Sequence, residues 1–280
     1  MAQKMKVVLL TTDYNIGANI CIKAFLQNTL RKKYGIQVVG IVVTSLFRPW
    51  EKKSWRRMFR FFRQTGFGFA VRSITINIIQ NIKMNIAQYF VADKKRHYFT
   101  FQEMARSYGF PIMYTKDINS PQTIDFIRKQ KSDYLVSALL LQIVKKELLS
   151  IPKKGAINFH PALFQEHRGT FSSFWTLFRN RKKSGATVHF MNEEIDGGEI
   201  ILQRNFFVHR SDSIHCINQK SARLGGNLLV KSLVKIKKQK AKLFWIKKAS
   251  HLLSMPNNKQ TEDFLRRGKK IIHWEDLFRI

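Results

Sequence analysis

The apolar positions of this chain fall into two patterns that alternate along its length. Residues 5–11 and 36–44 are β-branched and almost continuously apolar, which is typical of strands covered on both faces of a sheet. Between them, residues 18–33 place apolar side chains at helical spacing. A strand, a helix and a second strand in this order predict a β-α-β unit, and therefore parallel strands.

The same alternation returns in the second half of the chain. It predicts strands at residues 111–114, 134–139, 155–159, 187–191 and 199–203. It predicts helices at residues 121–131, 145–149 and 211–238, and a final short helix after an extended link. We therefore expect an α/β fold with a doubly wound, mostly parallel sheet in residues 1–210 and a basic, helical C-terminal extension in residues 211–280.

An insertion interrupts this pattern at residues 46–98, where basic and aromatic side chains occur together. Its first part contains Trp50, Lys52, Lys53, Trp55, Arg56, Arg57, Phe59, Arg60, Phe61, Phe62 and Arg63. Apolar residues then recur near helical spacing from residue 71 to residue 90. One interpretation is a surface that meets anionic lipid headgroups or a phosphate backbone. The other, which we favour, is an amphipathic helical pair packed on the body of the protein.

Positive charge dominates the composition, with 50 Lys and Arg against 18 Asp and Glu and a formal net charge of +32. Such a field attracts anions, which include tRNA, nucleotide-linked substrates, polyglutamylated cofactors and an anionic membrane surface. The charge does not distinguish among these partners. A genome of low GC content would enrich lysine and produce the same excess without any binding role.

Two classes of protein are disfavoured by the composition. No apolar run approaches the ~20 residues that a membrane-spanning helix needs. Cys21 and Cys216 are the only cysteines, so we expect neither a disulfide scaffold nor a metal site. The apolar run near the N-terminus lacks a small-residue cleavage site and resembles a first strand. We therefore expect a cytoplasmic protein and leave peripheral attachment to a membrane open.

The residues that carry candidate chemistry lie between positions 155 and 203. Asn158 and His160 are two residues apart at the end of a predicted strand, so their side chains share one face where a doubly wound sheet binds its ligands. Asp196 follows in an Ile-Asp-Gly-Gly loop between two predicted strands. A single Asn-x-His also occurs as a hydrogen-bonded structural pair, so the spacing alone leaves both interpretations open.

These three side chains suit acyl transfer to an amine. His160 can exchange protons near neutral pH, and Asn158 offers an amide donor to a carbonyl oxygen that gains charge under attack. Asp196 can orient or charge-stabilise the imidazole. One imidazole can serve both the nucleophile, which must lose a proton, and the leaving nitrogen, which must gain one.

The same segment resembles the formyltransferase superfamily that uses 10-formyltetrahydrofolate. That superfamily includes methionyl-tRNA formyltransferase, glycinamide ribonucleotide transformylase and the sugar N-formyltransferases. The matching positions are Asn158, His160, Pro161, Leu163, Arg168, Gly169, Gly185, Thr187, Val188, His189, Asp196, Gly198 and Ile200. The resemblance implies a catalytic domain in residues 1–210, in which Asn158 holds the formyl oxygen, His160 shuttles protons and Asp196 positions or charges His160.

The resemblance also implies binding residues. It places a folate pterin against the backbone of two segments, which comprise Leu139, Leu140, Leu141, Gln142, Ile143, Glu194 and Ile195. Core packing remains the alternative for residues 139–141. Arg168, with Gly169 and Thr170, is the candidate acceptor site, since an arginine can bind a phosphate bidentately; a loop surface charge is the alternative. We expect His189 to be a hydrogen-bonded structural residue.

Two departures from the family pattern affect the choice of acceptor. The family loop reads Ser-Leu-Leu-Pro, whereas this chain has Ala162, Leu163, Phe164 and Gln165 and so lacks the rigid proline. The residues after 210 are mostly helical in pattern, unlike the β-barrel of tRNA formyltransferases. The preferred acceptor is therefore a nucleotide-linked amino sugar, followed by methionyl-tRNA and then glycinamide ribonucleotide. A non-catalytic relative that binds RNA or an anionic membrane is the alternative of another class.

Overall fold

Seven strands form the central sheet of the computed structural model, which describes residues 4–13, 15–31, 34–45, 52–90, 100–246 and 252–277. The strands in chain order are β1 (Met5–Thr12), β2 (Ile36–Thr44), β3 (Ile112–Thr115), β4 (Tyr134–Ala138), β5 (Ala156–His160), β6 (Arg168–Gly169), β7 (Lys183–Phe190), β8 (Ile200–Phe207) and β9 (Leu252–Leu253). The sheet order is β3-β2-β1-β4-β5-β7-β8, while β6 and β9 form a separate two-stranded pair. The first five strands are parallel, and β7 and β8 join antiparallel. The predicted α/β fold with a mostly parallel sheet is confirmed.

Helices cover both faces of this sheet. In chain order the helices of the described residues are α1 (Ile16–Arg31), α2 (Lys52–Thr65), α3 (Phe67–Phe90), α4 (Phe101–Tyr108), α5 (Pro121–Lys129), α6 (Lys146–Leu149), α7 (Ser172–Phe178), α8 (Ile214–Lys237) and α9 (Asn258–Arg266), with a 3-10 turn at Trp274–Leu277. One face buries apolar residues of α1, α4 and α8, and the other buries those of α5 and α6. This two-sided cover explains why every residue of β4, and every residue of β1 except Lys6, is buried.

Helix α8 packs closely against strand β5 and helix α1 because two of its residues are glycines, which have no side chain to hold these elements apart. A Cβ atom on Gly225 would overlap the ring of Phe159 in β5, and one on Gly226 would overlap the carbonyl of Cys21 in α1. The leucines that follow, including Leu229 and Leu233, are fully buried in the same core. The predicted boundary at residue 210 stays a prediction, but α8 itself lies within the core of the sheet layer.

A third hydrophobic cluster joins the insertion to the C-terminal part of the chain. Its buried members are Phe69, Ile76, Phe174, Trp175, Leu177, Ile217, Phe264 and Ile271. The ring of Phe174 in α7 meets Phe69 of α3 edge-on at 5.7 Å and stacks on Phe264 of α9 at 4.9 Å. The insertion is thus a helical pair packed on the body, as favoured from the sequence. Trp50 and the rest of residues 46–51 and 91–99 lie outside the described residues.

The opposite face of α3 is exposed and aliphatic. Ile78, Ile82 and Ile86 follow one another at four-residue spacing, and about half of each side chain is exposed (52%, 51% and 51%). None of the helices in the described part of the chain is long and apolar enough to cross a membrane.

Candidate active site

Asn158 and His160 lie at the carboxyl end of β5, where parallel strands present ligand sites. Because successive side chains of a strand point to opposite faces, both face away from Phe159, which packs on α8. In the antiparallel pairing of β5 with β7, Asn158 lies opposite His189 and His160 opposite Thr187. The strand pairing therefore brings a second histidine beside the Asn-x-His pair.

Asp196 reaches this strand end from the loop between β7 and β8. Its backbone has a left-handed φ of 51°. Its Oδ2 atom lies 3.3 Å from His160 Nδ1 and accepts a hydrogen bond of 3.0 Å from the backbone N–H of Gly169. Its Oδ1 atom lies 3.6 Å from His189 Nε2. The structure thus brings Asn158, His160 and Asp196 together, as the sequence predicts.

The carboxylate of Asp196 is held in its ionised form. Burial alone raises its pKa, but its other surroundings, led by His160 and including the Gly169 N–H, more than offset this and lower the pKa well below 3.8. The pKa of His160 is lowered from 6.5, because burial outweighs the opposing attraction of Asp196. At neutral pH the site therefore combines a carboxylate with an uncharged imidazole.

The contacts of His160 define which nitrogen is free for chemistry. Nδ1 faces the Asp196 carboxylate, which can only accept, so this nitrogen carries the proton. Nε2 is buried and has no hydrogen-bond partner in the described part of the chain. His160 also lines a cavity of about 540 Å³. An unpartnered basic nitrogen at such a position is available to a bound amine.

His189 fixes the amide of Asn158. Its Nδ1–H donates to the carbonyl of Phe190 over 2.7 Å, which leaves Nε2 to accept from Asn158 Nδ2 at 3.1 Å. The Asn158 amide keeps its second N–H for a ligand. His189 is hydrogen-bonded as expected, yet it also lines the cavity and contacts both candidate catalytic partners.

The rings of His167 and Phe164 pack against the histidines of the site. The Phe164 ring lies between the imidazoles of His160 and His189, with centroids 5.3 Å and 4.9 Å away. The ring of His167 stacks on His160 at 5.9 Å. Burial, followed by repulsion from His160 when both rings are protonated, lowers the pKa of His167 to about 4. Phe164 occupies part of the loop in which the family motif has its leucines and proline.

A cavity of about 540 Å³ opens in front of these side chains. It is lined by all seven predicted cofactor residues: Leu139, Leu140, Leu141, Gln142, Ile143, Glu194 and Ile195. The Gln142 side chain is engaged elsewhere, since it bonds to the Ile118 N–H and the Lys116 carbonyl, both at 2.8 Å. The Leu141 N–H donates to Thr12 Oγ1. For Gln142, the backbone is therefore the group left to meet a ligand.

Two of the three predicted acceptor residues line the cavity, and the third does not. Gly169 and Thr170 line the cavity, whereas Arg168 does not. The guanidinium of Arg168 donates to the Ile195 carbonyl over 2.9 Å and lies 5.9 Å from the centre of the Phe164 ring. Arg168 is thus placed to hold the loop that carries Asp196, while a role in binding phosphate stays a prediction.

Part of the cavity wall was missed from the sequence. It consists of Phe69, Ser73, Ile76 and Asn77 of α3 and of Ile214, His215, Asn218 and Gln219 of α8. The available signal was the four-residue and three-residue spacing of the α3 positions, which places them on one face. Among the described residues no cluster of His, Cys, Asp and Glu is suited to hold a metal ion.

Fold and site together define an α/β protein with an Asn-His-Asp centre at the carboxyl edge of its sheet. A family model described as formyl transferase matches residues 80–233, which is more than half of the chain. The chain therefore belongs to the formyl transferase family. This match confirms the resemblance found in residues 155–203.

Individual relatives differ in what they act on. The chain is 30% identical over 129 residues to a methionyl-tRNA formyltransferase of Syntrophus aciditrophicus. The aligned segment covers 46% of this chain and 41% of that protein. It is also 30% identical over 149 residues to the bifunctional polymyxin resistance protein ArnA of Wigglesworthia glossinidia brevipalpis. That aligned segment covers 53% of this chain and 23% of that protein. The matched segments thus span less than half the length of these curated relatives.

Solved structures share the fold. A phosphoribosylglycinamide formyltransferase of Anaplasma phagocytophilum superimposes with a TM-score of 0.59 at 16% identity, over 91% of this chain and 100% of that one. A sugar N-formyltransferase of a Shewanella species gives a TM-score of 0.54 at 18% identity, over 89% and 76%. At these identities the likeness concerns the architecture alone.

Proposed function

We propose that this chain is an N-formyltransferase that moves a formyl group from 10-formyltetrahydrofolate to a primary amine. One observation carries the proposal: the buried Nε2 of His160 has no partner in the described part of the chain, while Asp196 holds Nδ1 from 3.3 Å. This arrangement presents a neutral base at a ligand cavity. Its family membership is consistent with this chemistry.

The cavity suits a folate donor. Its volume of about 540 Å³ lies in the range of ordinary small-molecule sites. Leu139, Leu140 and Ile143 contribute apolar side chains to its lining, and the loop between β7 and β8 that carries Asp196 lines it as well. A pterin ring has apolar faces and polar edges, so it matches a site made of aliphatic side chains and backbone groups. Bound there, the donor supplies the formyl carbonyl.

The residues then have distinct tasks in the reaction. His160 Nε2 accepts the proton of the attacking amine and later returns it to the leaving nitrogen. Asn158 donates its second amide N–H to the carbonyl oxygen as charge builds there, and His189 holds that amide in place. Asp196 keeps the imidazole in one tautomer and stabilises it while it is protonated.

The preferred acceptor is an amino sugar linked to a nucleotide. Relatives named for methionyl-tRNA, for phosphoribosylglycinamide and for sugars are all similar to this chain, so similarity alone does not select among them. The lining of the cavity favours the sugar, because Ser73, Asn77 and Asn218 offer uncharged polar groups that can bind sugar hydroxyls. Methionyl-tRNA ranks second and glycinamide ribonucleotide third.

A separate observation favours an anionic membrane surface as an additional partner. Ile78, Ile82 and Ile86 form the exposed aliphatic row of α3, and Arg56 and Arg60 are exposed on α2. Exposed aliphatic side chains on one helix and exposed arginines on its neighbour are the two kinds of group that bind an anionic lipid surface. We expect co-sedimentation with vesicles containing phosphatidylglycerol, and its loss in Ile82→Glu. Absence of sedimentation would exclude this partner, and RNA binding that Ile82→Glu leaves unchanged would favour a nucleic acid instead.

The activity is tested by following tetrahydrofolate release when 10-formyltetrahydrofolate is mixed with a panel of amines. The panel contains a nucleoside diphosphate-linked amino sugar, methionyl-tRNA and glycinamide ribonucleotide. We expect amine-dependent release by the parent protein and a loss of about 100-fold or more in His160→Ala. His209→Ala is the matched control, since His209 is an exposed histidine outside the cavity. Release that is equal in both variants would rule out the proposed centre.

A further inference from the structure

Helix α3 of the insertion forms a wall of the cavity. Phe69, Ser73, Ile76 and Asn77 all line it and recur on one helical face. Two contacts hold the helix in place before and after these residues. Phe69 packs edge-on against Phe174, and Gln80 Nε2 donates a hydrogen bond of 3.2 Å to the Asp276 carbonyl. The wall is therefore a fixed part of the site.

The first turns of α8 add polar groups next to α3. Asn218 and Gln219 line the same cavity. Asn218 Oδ1 accepts a hydrogen bond of 2.6 Å from Ser173 Oγ, which sets the amide and leaves its NH₂ group for a ligand. Gln219 Nε2 lies 2.8 Å from His215 Nε2, so this second amide is also held in place. The α8 side of the wall is thus preorganised and neutral.

The charge of the cavity contrasts with that of the whole chain. The sequence contains 50 Lys and Arg, yet none of the described residues that line the cavity is a lysine or an arginine. The charged side chains that do line it are the carboxylates of Glu193, Glu194 and Asp196. A phosphate drawn into this space would lose its hydration without meeting a cation. The cavity therefore favours an uncharged or cationic ligand.

The polar and apolar groups of the wall match a hydroxylated ring. Hydroxyl groups can donate to and accept from the amides of Asn77 and Asn218 and the hydroxyl of Ser73. The ring of Phe171, which is 37% exposed, provides a surface for the C–H face of a sugar. A primary amine on that ring would be favoured by the nearby carboxylates.

We propose that Ser73 and Asn77 of α3, together with Asn218 of α8, bind the hydroxyl groups of an amino sugar ring, so that this uncharged body enters the cavity and any phosphates of its carrier stay outside. The inference rests on the proposed function and assigns its acceptor specificity to the inserted helix. Asn77 and Ser73 are binding residues for the acceptor and have no part in the proton transfers.

The first test replaces one amide of α3 and measures the kinetics with a nucleoside diphosphate-linked amino sugar. We expect Asn77→Ala to raise the KM for this acceptor roughly 3- to 10-fold, the effect of losing one neutral hydrogen bond, while kcat and the KM for the formyl donor stay unchanged. Asn85→Ala is the matched control. Asn85 lies two turns further along α3, makes the same side-chain bond to the carbonyl four residues earlier and does not line the cavity.

The second test adds a cation to the wall. If the sugar ring occupies the cavity, Ser73→Lys should raise the acceptor KM by crowding and charging the space. If a phosphate occupies it, the new ammonium should lower the KM, and that result would overturn the proposal. An equal KM in Asn77→Ala and Asn85→Ala would also overturn it.

Failure of this inference is distinguishable from failure of the proposed function. Binding of the same nucleotide-linked sugar is measured by calorimetry in the absence of the donor. Asn77-dependent binding without any formyl transfer would support the sugar site and refute the transferase. Formyl transfer that Asn77→Ala does not affect would support the transferase and refute the sugar site.

Discussion

At the scale of single residues, the candidate site depends on one pair of atoms. His160 Nδ1 and Asp196 Oδ2 lie 3.3 Å apart, and both groups are almost fully enclosed. Enclosure lowers the pKa of the imidazole, while the carboxylate keeps one nitrogen protonated and the other basic. A single buried pair thus determines both the charge and the tautomer of the proposed base.

His167 should make the stability of the protein depend on pH. The pKa of His167 is about 4 in the folded chain, compared with 6.5 for an unperturbed histidine. The unfolded chain therefore binds a proton at this residue more readily than the folded chain. Its contribution to stability is complete above about pH 6.5 and is lost as the pH falls towards 4. Between pH 7 and pH 5 we expect a loss of up to about 2 kcal/mol from this residue.

Urea denaturation at these two pH values measures the effect. His167→Phe keeps a ring beside His160 but cannot be protonated. The difference in unfolding free energy between pH 7 and pH 5 should be smaller in this variant than in the parent. An identical difference in both proteins would mean that His167 does not contribute to the pH dependence.

Some contacts of the candidate site can be predicted from the sequence, and others cannot. Asn158 and His160 share a face because they alternate on one strand, so their proximity follows from local geometry. The contact between Asn158 and His189 depends on the antiparallel pairing of β5 with β7, which no local pattern encodes. The catalytic and binding roles of all these residues stay predictions until they are tested by activity.

At the scale of elements, helix α8 packs on the face of β5 that is opposite the candidate site and so positions the end of this strand. Phe159 stands between Asn158 and His160 in sequence, and its ring fills the space left by Gly225. Any side chain at Gly225 must displace this ring and, with it, the end of β5. The fit between one helix and one strand is therefore coupled to the geometry of the candidate centre.

Gly225→Ala tests this coupling. We expect it to destabilise the fold by about 1–3 kcal/mol through overpacking and to reduce the proposed activity. Gly68→Ala is the control, because Gly68 is also helical and a Cβ atom there would meet nothing within 4 Å. Thermal unfolding should show Gly225→Ala less stable than the parent, and Gly68→Ala equal to it or more stable by about 0.4–1 kcal/mol. Equal stability of the two variants would contradict the described packing.

Element positions were predictable where the apolar pattern is strong. The strand predicted at residues 36–44 coincides with β2, and that at 134–139 differs from β4 by one residue. Helix α4 was not predicted, although Thr100 and Glu103 form a capping box at its start and Gly109 ends it in a left-handed conformation. Strand β7 begins at Lys183, four residues before the prediction, because its first half pairs with the extended β8.

At the scale of the whole molecule, the insertion and the C-terminal residues share one core. Residues of α3, α7, α8 and α9 pack together although they are far apart in sequence. Such long-range contacts are not visible in hydrophobic periodicity, which records only which face of a helix is apolar. The position of α3 beside the cavity depends on this shared core, because Phe69 and Ile76 belong to both.

Phe264→Ala should weaken that core. Phe264 is completely buried and stacks on Phe174, so its removal should cost about 3–5 kcal/mol of unfolding free energy. Phe59→Ala removes an exposed phenylalanine of α2 and should leave the stability nearly unchanged. Chemical denaturation compares the two variants. A small effect of Phe264→Ala would show that α9 is not part of the folded body.

The most direct test of the central claim follows the formyl carbon itself. The protein is mixed with 10-formyltetrahydrofolate that carries ¹³C in the formyl group and with a nucleoside diphosphate-linked amino sugar, and the products are observed by NMR. The account predicts that the label appears in a new amide of the sugar with the parent protein and not with His160→Ala. Label that stays on the folate, or that is recovered only as formate, would contradict it.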